Sequence, residues 1–188
     1  MTRPTLETLR PRGYWRVVPS ELYSLIGLGA PALGFGAALI WAASRYERFA
    51  WILTPSQYPW QIWVLIFSGT LATAGGLGDW IFHRRYVTVG PKEHHSHLLA
   101  LLTGGLPVFI LMLIASALRD PSPLLLPIIA WVLYTAALIC YDEFVFHRRR
   151  CTPIETLFHR LLVFGNGAAW MAWMHWCFVY KGGAYVAA

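Results

Sequence analysis

Charged residues are scarce in this 188-residue chain. Asp and Glu together number nine, Lys and Arg fifteen, and all four make up 13% of the residues, against roughly 25% in typical soluble domains. So small a charged fraction excludes a disordered tail and a soluble nucleic-acid binder. Cysteine is rarer still. Cys140, Cys151 and Cys177 form no CxxC pair, which excludes a secreted disulfide scaffold and leaves them expected as small buried residues. Low-complexity segments are absent. Apolar residues are what the chain has in abundance: 57% are hydrophobic, gathered at positions 22–43, 61–82, 97–118, 123–146 and 158–180. Each run approaches or exceeds the roughly 20 residues that cross a hydrocarbon core. The expected fold is all-α, a polytopic membrane bundle of five transmembrane helices in a single domain spanning 1–188.

The basic residues orient that bundle. Eleven fall on one side of the alternating spans: Arg3, Arg10, Arg12, Arg16, Arg84, Arg85, Lys92, Arg148, Arg149, Arg150 and Arg160. Arg45, Arg48, Arg119 and Lys181 fall on the other. The positive-inside rule then puts the N-terminal segment 1–20 in the cytoplasm and the C-terminus outside. The pI near 9.5 follows from this orientation and from attraction to anionic headgroups, with no need of a nucleic-acid partner. The polar N-terminal region precedes an apolar run too long for a signal peptide, so the first span is expected to be retained.

Self-comparison finds a repeat. DWIFHRRYVTVGPKEHHSHLL from Asp79 aligns with EFVFHRRRCTPIETLFHRLL from Glu143 once two loop residues are skipped. Both segments carry an acid, His four residues on, Arg-Arg, a loop, then Pro-x-Glu-x-x-x-His. The matched pairs are Asp79 with Glu143, His83 with His147, Glu93 with Glu155 and His97 with His159. Two hairpins, 58–118 and 123–180, are therefore expected as a parallel repeat about a pseudo-two-fold axis along the membrane normal. Proline after Gly90 and after Thr152 marks two helix starts, and the arginines after His83 and His147 suit helix C-termini. All four boxes thus fall at the cytoplasmic boundary.

A spacing of four stacks acid and imidazole on one helix face. Two hairpins can together offer Asp79, His83, Glu93, His97, Glu143, His147, Glu155 and His159 to two divalent metals, as inward-facing carboxylates and imidazoles do in soluble di-iron bundles. Mixed oxygen and nitrogen donors suit iron, manganese or zinc better than copper(I), which prefers sulfur, or magnesium, which prefers all oxygen. Simpler roles compete. Glu155 after Thr152 makes a capping box, Glu93 holds the same place after Gly90, His83 and His147 can cap helix ends, and the acids can pair with neighbouring arginines. His94 and His95 lack counterparts in the second box and are candidates for additional ligands or solvated side chains. Asp142 is a candidate partner that orients a ligating histidine. His175, among Trp170, Trp173 and Trp176, is expected as a packing or interfacial residue.

Histidine boxes at the cytoplasmic ends of membrane helices resemble those of the integral-membrane di-iron hydroxylases and desaturases. The resemblance covers only the motif segments. Asp79, Glu93, Glu143 and Glu155 stand here where those families would have histidine. It implies a di-iron oxidoreductase acting on a lipid or other apolar substrate, with a separate electron donor, since no flavin, haem or iron-sulfur motif is found. Arg84, Arg85, Arg148 and Arg149 would then hold a substrate headgroup, in addition to orienting the chain. A zinc-dependent membrane hydrolase is the second class, and a metal transporter or metal-stabilised scaffold the third. Against transport, the span centres hold no ladder of acids.

Overall fold

The computed structural model describes residues 36–37, 39–87, 90–147 and 151–180. All regular structure among them is helical. Most of the expected first span lies outside the described residues; its end, at 39–45, is helical. Two short 3-10 turns, Glu47–Leu53 and Pro55–Gln57, lead into four long helices. These are α1 (Trp60–Tyr86), α2 (Pro91–Ala117), α3 (Ser122–His147) and α4 (Pro153–His175, continued by a π turn, Trp176–Tyr180).

Three of them, α1 to α3, are long and apolar enough to cross a membrane. At 1.5 Å per residue, 26 or 27 residues span about 40 Å. Helix α4 falls outside that set although it is as long. Trp170, Trp173, His175, Asn166 and two glycines dilute its apolar content. The pattern of burial is inverted relative to a soluble domain: Leu126 is 77% exposed, Phe164 72% and Phe67 68%, while Glu155 and His147 are 1% exposed. So much exposed apolar side chain suits hydrocarbon as the surrounding medium.

Helix starts follow the local sequence. Thr152 caps α4 in a reciprocal box, its hydroxyl accepting from the Glu155 N–H at 3.3 Å while its own N–H donates to Glu155 Oε2 at 3.1 Å. Pro91 and Pro153 occupy first-turn positions where a missing N–H costs nothing. The helices are not α-helical throughout. Ala100–Gly105 in α2 and Glu143–His147 in α3 are π turns, which loosen the backbone ladder and shift side-chain register. The indole N–H of Trp131 donates to the Thr103 carbonyl in the first of these turns, at 2.8 Å.

The closest packing runs across the two predicted hairpins, α1 against α4 and α2 against α3. Backbone contact between α1 and α4 depends on glycine. A Cβ on Gly165 would lie 2.8 Å from Ser68 O and Ala72 N, and one on Gly75 2.7 Å from Phe158 O and Leu162 N. Small residues at such crossings let helices approach where lipid offers no hydrophobic drive. Toward the opposite end from the histidine boxes, Val108, Met112, Ala115, Ile128, Trp173 and Cys177 join α2, α3 and α4 in an apolar core. Trp173 is buried there and donates to Ser116 Oγ at 2.7 Å. His175 packs on Trp60, and its Nδ1 lies 2.9 Å from Nε2 of the buried Gln61.

Candidate metal centre

Helix ends bring the four boxes together. His83 and Asp79 come from the last turns of α1, Glu93 and His97 from the start of α2, Asp142, Glu143 and His147 from the end of α3, and Glu155 and His159 from the start of α4. The rings of His83, His97 and His147 stack within 11° of parallel, with centroids 5.5 to 6.2 Å apart, and His159 stands edge-on to His147 at 4.4 Å.

The contacts are exchanged between the two halves. His83 Nε2 is 2.8 Å from Glu155 Oε1, and His147 Nε2 is 3.7 Å from Glu93 Oε1. His159 Nε2 is 3.0 Å from Asp79 Oδ1, and His97 Nε2 is 3.1 Å from Asp142 Oδ2. Within each half, Asp79 Oδ2 lies 3.7 Å from His83 Nδ1 and Asp142 Oδ2 lies 3.1 Å from His147 Nε2.

Asp142, rather than Glu143, thus occupies in the second half the place that Asp79 has in the first. The cause is the π turn at Glu143–His147. With more than four residues per turn, a residue stacks on its neighbour five positions back instead of four. Glu143 is displaced outward. Its side chain is 48% exposed and meets the outer nitrogen of His159, Nδ1, at 3.4 Å.

Glu155 serves two masters at once. Oε2 accepts from the Thr152 N–H in the capping box while Oε1 faces His83. The cap therefore does not exhaust the carboxylate. Burial works to raise its pKa, but the His83 hydrogen bond and charge, with the Thr152 N–H, outweigh burial and hold it well below the ordinary carboxylate value.

Two sets of side chains have donor atoms within 4.8 Å of one another: His83, His147, Glu155 and His159, and Glu93, His97 and His147. His147 belongs to both. Asp142 Oδ2, His97 Nε2 and His147 Nε2 form a triangle with edges of 3.1, 3.1 and 3.3 Å. Ligands at about 2.1 Å from one small divalent ion are separated by about 3.0 Å in an octahedron and about 3.4 Å in a tetrahedron. The triangle has the size of one face of such a polyhedron. Without an ion both imidazoles can donate to Asp142 Oδ2, but Oδ1 is then left buried with no hydrogen-bond partner among the described residues. Asp79 Oδ1 shares that condition: His159 is close enough for an ion pair but is not aligned for a hydrogen bond. Donor types, spacing and buried unsatisfied oxygens all fit a divalent metal.

The remaining predicted residues stand apart. His95 is exposed and His94 half-buried, and neither belongs to the two donor sets. The Arg84 guanidinium lies over the Trp80 ring at 4.6 Å, and Arg85 is exposed. Arg148 and Arg149 lie outside the described residues. One residue was missed: buried Cys151, whose Sγ lies 3.2 Å from His147 Nδ1. Its position four residues after His147 was the available signal, since that spacing returns to the same helix face. In comparisons with known proteins, the chain matches no protein family, no curated protein and no solved structure.

Proposed function

We infer that this is a multi-pass membrane metalloprotein, with two divalent ions, iron favoured, held where four helix ends meet, and that it acts on a lipid or other apolar substrate. The observation that carries the metal is the triangle of Asp142, His97 and His147 donor atoms, sized for the face of a coordination shell. Charge supports two ions. Asp79, Glu93, Asp142, Glu143 and Glu155 bring up to five negative charges into one cluster, which neutral imidazoles cannot offset and two divalent cations nearly do. The exchanged contacts between halves support the reading of a parallel pseudo-two-fold repeat, with His83 and His147 nearest its axis and His147 common to both donor sets.

When bound, the ions would supply redox or Lewis-acid chemistry. The protein's part is to fix the imidazoles by stacking, hold the carboxylates charged, and exclude water behind Glu93 and Glu155, 3% and 1% exposed. An apolar chain would reach the centre from the bilayer. The cationic loops would face its headgroup from the cytoplasm. Under this reading the first apolar run and α4 also cross the membrane, making five spans with the N-terminus inside. One feature favours the hydrolytic alternative: Glu143, at the accessible edge and touching His159, could take up a proton as a general base, with zinc, if bound, supplying Lewis-acid chemistry.

Metal analysis of detergent-purified protein with optical spectra in both redox states tests the reading. Iron near two per chain with a redox-sensitive spectrum is the expected result. Zinc would shift the assignment to hydrolysis, and no metal after reconstitution with either would remove it.

A further inference from the structure

The two central imidazoles are held from behind by different groups. His83 presents Nδ1 to the Asp79 carboxylate at 3.7 Å. His147 presents Nδ1 to the Cys151 thiol at 3.2 Å, and the residue matching Cys151 in the first half is Val87. Cys151 is 5% exposed, and its own N–H donates to the His147 carbonyl at 3.1 Å, so sulfur and ring are fixed on one turn.

We propose that Cys151 is a positioning residue for the metal centre: it accepts the Nδ1–H of His147 on sulfur and thereby turns the Nε2 lone pair of His147 toward the metal. This rests on the metal-binding reading above. The valences decide the direction of that bond. Nε2 faces Asp142, His97 and Glu93, so for it to ligate a cation the ring proton must sit on Nδ1 and needs an acceptor there. Sulfur accepts weakly, and here it stands at hydrogen-bond distance from that nitrogen. Metal-bound histidines almost always have such a partner, usually carboxylate, carbonyl or water. His83 has no matching thiol, since position 87 is valine and its Nδ1 lies 3.7 Å from Asp79, beyond hydrogen-bond distance, so the two halves of the centre differ behind these rings despite their matched residues.

The test is Co2+ titration of the full-length, detergent-purified protein and its Cys151→Ser and Cys151→Val variants, read by ligand-field absorption. Ser keeps one donor and one acceptor at nearly the same size, whereas Val reproduces position 87 and has neither. Helix content and elution volume establish that each variant is folded. The expected result is no thiolate-to-cobalt charge-transfer band in the unmodified protein, affinity retained in Cys151→Ser, and a 10 to 100-fold loss with an altered ligand-field spectrum in Cys151→Val. Equal affinity and spectra in all three, or equal loss in both variants, would overturn the positioning role. A thiolate band that disappears in Cys151→Ser would make the sulfur a ligand instead. Failure of the unmodified protein to bind Co2+ would strike the metal reading itself, and is thereby distinguished from the other outcomes.

Discussion

Neutralising Asp142 should cripple metal binding while neutralising its neighbour Glu143 should not, although the repeat in the sequence matches Glu143, not Asp142, to Asp79. In the structure Asp142 Oδ2 lies 3.1 Å from both His97 and His147, on the inner side of the π turn. Glu143 is about half exposed and touches His159 on the nitrogen turned away from Asp79. Asp142→Asn removes a ligand charge from the triangle. Loss of an outer partner alone costs about 10 to 100-fold in affinity, so loss of a ligand should reach about 100-fold or more, some 2.7 kcal/mol at about 1.4 kcal/mol per decade. Glu143→Gln disturbs only the outer hydrogen bond of one ligand and should cost at most about tenfold. Both changes are isosteric, so packing is held constant. Competition titration with Zn2+ or Co2+ against a chelator of known affinity, at fixed pH in detergent, reads the difference. If Glu143→Gln is as damaging as Asp142→Asn, α3 keeps α-helical register to His147 and the argument from the π turn is wrong.

Four further outcomes follow from the same geometry. His97→Ala and His159→Ala should each lower metal content, and His147→Ala, removing the side chain common to both donor sets, should lower it most; elemental analysis that finds all three fully loaded would refute the site. Metal affinity should fall as pH is lowered, because protons compete with the ion for the imidazole nitrogens, and a flat profile from pH 8 to 5.5 would count against histidine ligation. In the metal-free protein Glu155, its pKa lowered from 4.5, contributes stability that is present above that value and is lost as pH falls below it; thermal unfolding of Glu155→Gln against the parent across this range checks the sign. Gly165→Leu should destabilise the α1–α4 contact by about 1 to 3 kcal/mol or more, seen as a lower unfolding temperature in detergent. Gly167→Ala, whose added Cβ meets nothing within 4 Å, is its control and should not lower that temperature, since alanine is the better helix former.

The helical class and the apolar character of α1 to α3 were legible in the sequence, because a run of apolar side chains long enough for hydrocarbon leaves the backbone no partner but itself. The helix starts at Pro91 and Pro153 were legible too, through residues that act on the first turn alone. The gathering of His83, His97, His147 and His159 could be anticipated because the same polar pattern recurs on two segments that would otherwise be apolar. What the sequence could not decide is how far each helix turns before it reaches the cluster. A π turn at Glu143–His147 leaves no local signature here, and it exchanged Asp142 for Glu143. Nor could the sequence assign partners across segments. Glu155 faces His83 rather than its own His159, and the Sγ of buried Cys151 lies 3.2 Å from His147 Nδ1. Those pairings follow from the approach of α1 to α4 at Gly75 and Gly165 and of α2 to α3. Periodicity fixes which face of a helix a residue occupies, but only the packing of separate helices fixes what that face meets.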